Sequence, residues 1–555
     1  MSTSEPTAAA SLPWWERGAD WLNAILIKEA RQALKSRQFV LTFLMLLLAA
    51  WAVSAFGLAL SGAEAEYGNL GRWFFFAFYF VLAVATILIV PFGAYRSLLA
   101  ERDLNTYELL SITTLSPGKI VWGKLGSAML QLFIFYSAIT PFIAFASLLN
   151  GFDVPTAAYV LVMSLLGSML LSMASLMFAT LAKQRLWQGF NSLLVLGGLA
   201  MALVSTLGVV GSATEFRGMP FDESGFWVAT SLFVLAGVSY FVLLHQITVS
   251  QLTFESDNRS TGIRVASNVQ VLLFWASLIG IGIYSWLWHG MGIDREAFVF
   301  GAIVSGVHWA VFGLFAVTEP DALSHRVARG LPRNRVLRLL LVPLLPGGAR
   351  GMLWMLLNLF ALWFVVVIGV ALVGRESFTT SGMGSWDFQS AVGRVINEFL
   401  TTLGNVPPNW SMPVQVWTAL SCYLVIYLGI GCAAGRVLRR HLSELNSAHL
   451  RVMTFLLLTA GIIFPLLLYW FRDNRRASLF DVTSPFMTLD RLMSSQNAQG
   501  YEIYVLLIAA LIVLMFNLRG IAHGIAAIMR HGAERGGRDD VAPDEVEVVE
   551  EAAVA

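Results

Sequence analysis

Twelve separate apolar runs, most about twenty residues long, dominate the chain. They fall at roughly 39–60, 72–93, 126–149, 158–181, 189–211, 226–247, 268–289, 297–317, 352–373, 414–434, 452–471 and 502–518. About twenty apolar residues in helical form cross a hydrocarbon core of roughly 30 Å. Inside hydrocarbon a helix satisfies its own backbone polar groups, which is why such a run is helical. The expected fold is therefore all-α, a polytopic transmembrane bundle of about twelve spans. Composition agrees, with 57% hydrophobic and 13% charged residues, against about 25% charged in soluble domains. The division of 268–317 into two spans rests on the turn-like stretch His289–Glu296.

Charge fixes the expected orientation. An even number of spans places both termini on one side. With that side cytoplasmic, 27 of the 36 Lys+Arg lie inside and 9 outside, and all five lysines (Lys28, Lys35, Lys119, Lys124, Lys183) lie inside. The positive-inside rule favours this arrangement. Arg472, Arg475, Arg476 and Arg491 go against it, as a basic outer patch or a sign of a miscounted late span. The net charge of +1 argues against a nucleic-acid partner. Cys422 and Cys432 share one predicted helix. Ten helical residues span about 15 Å, too far for a disulfide. The first apolar run is longer than a signal-peptide core and follows a long polar leader, so no cleavable signal is expected.

Four regions divide the chain. Residues 1–13 are small and polar and expected to be disordered. Residues 14–250 hold an amphipathic helix and six spans. Residues 251–520 hold about six more, with the Arg-rich inner loop 318–350. Residues 521–555 form a cytoplasmic tail, acidic and without aromatics from Glu534 onward, expected to be disordered. In 14–37, Arg17, Asp20, Lys28, Arg31 and Lys35 oppose Trp14, Trp21, Leu22, Ile25 and Leu26, a pattern suited to the membrane interface. A long inner loop follows the second span in each half, which raises the hypothesis of an internal duplication.

The stretch Arg96–Lys124, RSLLAERDLNTYELLSITTLSPGKIVWGK, is dense in both charge and apolar side chains. Leu104–Thr114 suits a short helix, with Asn105 and Glu108 as a cap pair. Tyr107, Leu110 and Thr114 then share one stripe, flanked by Leu109 and Thr113. Such a stripe suits a protein partner or the membrane surface equally. Ser116 is a plausible N-cap and Pro117 suits the first turn of the third span. Lys119 and Lys124 would then meet lipid phosphates. Gly118 to Lys124 fits G-x-x-x-x-G-K, but Leu125 stands where a phosphate loop needs Ser or Thr, and no strand precedes it.

Two other function classes find little footing. An ion-coupled secondary transporter needs intramembrane ionisable groups; His308 is the one clearly mid-span, with His245 and His289 at span ends. An intramembrane enzyme would need a motif such as H-E-x-x-H or G-x-S-x-G, and neither occurs.

Lys28-Glu-Ala-Arg-Gln32, then Glu101-Arg102, Thr106, Glu108-Leu109-Leu110, Leu115-Ser116, Ile120 and Gly123-Lys124, resemble the permeases of type-two ABC exporters over residues 14–250. The resemblance implies that Lys28, Glu29, Arg31 and Gln32 lie on an elbow helix. It implies that the loop carrying Glu101, Arg102, Thr106, Glu108, Leu109, Leu110, Thr113, Ser116, Pro117, Gly118, Lys119, Gly123 and Lys124 docks on a separate ABC ATPase subunit. ATP and Mg²⁺ would sit on that partner, with no cofactor or metal in this chain. It further implies a multi-pass protein of a prokaryotic inner membrane, in contact with lipids and able to form a homo- or hetero-oligomer with another permease. The alternatives are an ion-coupled secondary transporter or a non-catalytic membrane subunit of an ABC-type complex. The family core has six spans and this chain about twelve.

Overall fold

The computed structural model describes residues 24–60, 70–103, 116–149, 153–181, 185–215, 219–254, 256–289, 292–373, 388–405, 411–442, 446–471, 482–493 and 501–539. Among them every long element is a helix and there is no strand. Twelve helices are long and apolar enough to cross a membrane, and all twelve expected spans are among them. The division of 268–317 holds: one helix ends at His289 and the next starts at Arg295. The chain forms two compact units, Met1–Thr253 and Phe254–Ala555, each with six of these spans.

The first unit contains α1 (Ala24–Leu34), α2 (Arg37–Leu60), α3 (Leu70–Ala83), α4 (Val90–Asp103), α5 (Pro117–Leu148), α6 (Val154–Leu181), α7 (Arg185–Glu215) and α8 (Ser224–Leu252). Ser36 makes the corner between α1 and α2. Its hydroxyl donates to the Ala33 carbonyl (2.7 Å) and accepts from the Phe39 N–H (3.1 Å), which caps the first span. A π turn, Val84–Ile89, joins α3 to α4 as one continuous span. There the Val90 N–H donates to the Ala85 carbonyl, five residues back.

Phe74, Phe75, Phe78, Tyr79 and Leu82 fill the core of this unit. On α6, Ser164, Ser168, Ser172 and Ser175 are all buried. Ser168 and Ser172 donate to carbonyls four residues back (2.8 Å each), so small side chains pack without leaving hydroxyls unpaired. Tyr79 reaches Ser164 (3.0 Å) and Tyr95 reaches Ser192 (3.0 Å).

The second unit contains α9 (Thr261–His289), α10 (Arg295–Val317), α11 (His325–Arg329), α12 (Arg335–Leu341), α13 (Gly348–Val373), α14 (Phe388–Gly404), α15 (Met412–His441), α16 (Ser447–Trp470), α17 (Pro485–Met493) and α18 (Tyr501–Asp539). α15 is the most enclosed span. Trp275, Trp309, Trp354 and Trp417 are fully buried. Three of their indole N–H groups donate: Trp275 to Ser305 (2.9 Å), Trp354 to Asn268 (3.0 Å) and Trp417 to the Leu359 carbonyl (3.2 Å).

One expectation needs correction. The last helix runs on to Asp539, so 521–539 is helical rather than part of a disordered tail; 540–555 lies outside the described residues. The reason is packing: Ile521 and Ile528 are buried, and Ile528 clusters with Val327, Leu331, Val342 and Leu345. Of the outer basic patch, one residue is described. Arg491 is mostly buried and pairs with Glu502 at 3.5 Å, while Arg472, Arg475 and Arg476 lie outside the described residues. The disorder expected of 1–13 also falls on residues that are not described.

Candidate functional site

At the start of α5, Ser116 has extended backbone (φ −69°, ψ 147°) and Pro117 opens the helix, although the Ser116 side chain makes no capping hydrogen bond. Nearly two turns on, the chain does something its sequence hides. Gly123 faces α1 so closely that a Cβ there would lie 2.6 Å from Ile25 Cγ2 and 3.1 Å from the Leu26 backbone nitrogen. Gly126 leaves similar room for the Leu26 side chain. Glycine at 123 is therefore a packing requirement, which gives G-x-x-x-x-G-K here a meaning unrelated to phosphate.

That close approach sets Lys124 against α1 and α4. Its Nζ lies 3.3 Å from Glu29 Oε1 and 3.1 Å from Glu101 Oε2, with the Ser97 carbonyl at 3.5 Å. The Lys124 side chain is only 1% exposed. Lys28 closes the group from the solvent side, 3.7 Å from Glu101 and 4.0 Å from Glu29. Two lysines thus balance two carboxylates. Buried charges persist when paired in this way.

The cluster corrects one expectation and reassigns another residue. Lys124 is buried inside the protein rather than presented to lipid phosphates. Glu101 spends its carboxylate on Lys124 and Lys28. Among the other predicted residues, Arg31, Gln32, Ser116 and Lys119 are exposed, while Pro117 and Gly118 are half-buried. Arg102 lies at the end of α4. Thr106, Glu108, Leu109, Leu110 and Thr113 lie outside the described residues. Sequence spacing placed Glu29, Glu101 and Lys124 on separate elements and could not pair them; the signal available was one buried-looking lysine amid small and apolar neighbours.

The Arg-rich loop of the second unit also turns inward. Arg264 is buried and donates to the carbonyls of Pro343 and Leu345 (2.7 Å each) and to Glu319 (2.7 Å). Glu319 also accepts from Ser260 (2.7 Å) and the Gly347 N–H (2.9 Å). Arg350 donates to the carbonyls of Pro346 (2.6 Å) and Asp321 (3.0 Å). Arg338 serves those of Pro332, Arg333 and Met529. Arg439 binds the Thr318 and Glu319 carbonyls. Three of the loop's arginines and acids thus clamp its backbone, and the short α12 turns Val336, Leu337, Leu339 and Leu340 outward.

Of the histidines, His308 pairs with Ser267 at 2.7 Å and packs beside Trp309 and Phe312. His245 packs beside Trp122. No group of three or more His, Cys, Asp or Glu among the described residues could hold a metal ion. Comparison with family models, curated proteins and solved structures gives no match.

Proposed function

We propose that the chain is the membrane-spanning permease subunit of an ATP-driven exporter, with ATP hydrolysed on a separate subunit that docks on the loop between α4 and α5. One observation carries the reading. The two motifs that resemble type-two exporter permeases, Lys28–Gln32 and the Glu101…Gly123-Lys124 stretch, meet in one buried charge cluster. A loop tied at both ends to a neighbouring helix through paired charges is suited to pass a push into the span, because packed elements transmit displacement rather than absorb it.

In this reading Lys124 holds one stem of the loop against Glu29, Lys28 holds the other through Glu101, and Gly123 sets the close approach of α5 to α1. Glu108, Leu109 and Leu110, between those stems, make the contacts to the ATPase, which carries the nucleotide and Mg²⁺. A prokaryotic inner-membrane location follows from the same reading. His308, held by Ser267 and two aromatic rings, supports packing better than a coupling-ion relay.

The test is purification of the tagged chain in mild detergent, with ATPase activity assayed in the eluate. Co-purification of an ATPase subunit, lost in a Glu108→Lys, Leu109→Asp variant that still folds, is the expected result. An eluate without ATPase from native membranes under several mild detergents would overturn the reading.

A further inference from the structure

α14 follows α13 along a stretch of chain that the charge pattern places wholly outside the membrane. Its contacts contradict a purely aqueous position. Phe399 stacks on Phe364 (5.8 Å, 27°) and meets Trp363 (6.5 Å). Those two residues lie in the middle of α13. Between Arg350 and Arg375 the sequence runs without a charged residue, and Phe364 stands nine residues before the end of α13 at Val373. At 1.5 Å per residue that is about 14 Å below the end of the span, roughly the centre of a 30 Å hydrocarbon core. Helix side chains lean toward the N-terminus, which in α13 is the deeper direction.

The face of α14 that Phe399 borders is apolar and uncovered. Val392, Ile396, Leu400 and Leu403 are 39%, 53%, 60% and 61% exposed and share one edge at helical spacing. Asn397 and Thr401 lie on the adjoining edge, also exposed. On α13 beside it, Leu357 and Phe360 are exposed as well, so the uncovered face continues the lipid-facing surface of a span.

We propose that α14 is a re-entrant segment inserted into the leaflet opposite the basic loops, with lipid acyl chains covering Val392, Ile396, Leu400 and Leu403. Its depth selects this occupant: a water-soluble partner does not reach an apolar face level with mid-span aromatics. The Asn397–Thr401 edge turns away from the acyl chains. None of this depends on the transport reading.

The wild-type protein in phosphatidylcholine–phosphatidylglycerol vesicles gives a variant-free test. A diazirine carried on the lipid tail should label the 388–404 peptide, while a water-soluble diazirine should spare Ile396 and Leu400. Labelling of those residues by the soluble reagent alone would overturn the proposal. Nitroxides at single cysteines, in a Cys422→Ala, Cys432→Ala background, give the second measurement. Ile396→Cys and Leu400→Cys should collide several-fold more with oxygen than with a nickel chelate, and Asn397→Cys and Thr401→Cys should reverse that preference. Equal nickel access at all four positions would place α14 in water.

Discussion

Lys124 occupies a place where neither charge nor neutrality is cheap. Replacing it with Met leaves Glu29 and Glu101 facing each other across a buried gap. Removing one partner of a buried pair costs about 3–5 kcal/mol, so Lys124→Met should lower the thermal midpoint of the detergent-solubilised protein sharply. Lys28→Ala, at a side chain 57% exposed, should change stability by less than about 1 kcal/mol. Glu29→Gln in the Lys124→Met background should recover part of the loss, because it removes a stranded charge. A Lys124→Met protein as stable as wild type would mean that the cluster is not held as described. The same logic applies to Arg264, whose guanidinium satisfies two carbonyls and Glu319 at once. Arg264→Leu strands all three acceptors.

At the scale of elements, α1 and α5 are joined as much by shape as by charge. Gly123→Val would drive its branches into Ile25 and the Leu26 backbone. Overpacking of this kind costs about 1–3 kcal/mol. Ile25→Ala opens the space again, so the double variant should be more stable than Gly123→Val alone in the same thermal assay. Gly347 is a different case, because its φ of 138° lies where side-chain-bearing residues are strained and the Arg350 guanidinium packs against it. Gly347→Ala should destabilise the clamp of the Arg-rich loop, read as faster proteolysis of 318–347.

The elements themselves were legible because hydrocarbon length and charge-free runs leave little choice of structure. Ser116-Pro117 announced the start of α5 through local backbone chemistry alone. What could not be read was tertiary pairing. Glu29 and Lys124 are ninety-five positions apart, and nothing local distinguishes a lysine that meets lipid from one that meets two carboxylates. The continuation of α18 is hidden for a related reason: Ile528 has meaning only beside Val342 and Leu345. α14 is hidden in the sequence because its Arg394, Asn397 and Glu398 lower its hydropathy below that of a span.

At the scale of the whole molecule, the main cores respect the division of the chain. One draws on residues from Leu46 to Leu252 and the others on residues from Val271 to Ile528. Each unit therefore carries its own buried apolar surface, the main source of folding free energy. A protease site inserted at Phe254 should, once cut, leave both fragments membrane-inserted, each with a cooperative thermal transition. Aggregation of either fragment on cleavage would show that one unit needs the other to fold.

The π turn at Val84–Ile89 has a consequence in the language of genes. A helix that hydrogen-bonds five residues back holds one residue more in that turn than its neighbours do. Elsewhere in Leu70–Asp103, losing one codon would rotate everything beyond it by about 100° and swing Glu101 away from Lys124. Within the π turn the loss would be absorbed as ordinary α-helix, with both flanks keeping their phase. A deletion scan across this span should find its tolerated codons clustered at Val84–Ile89.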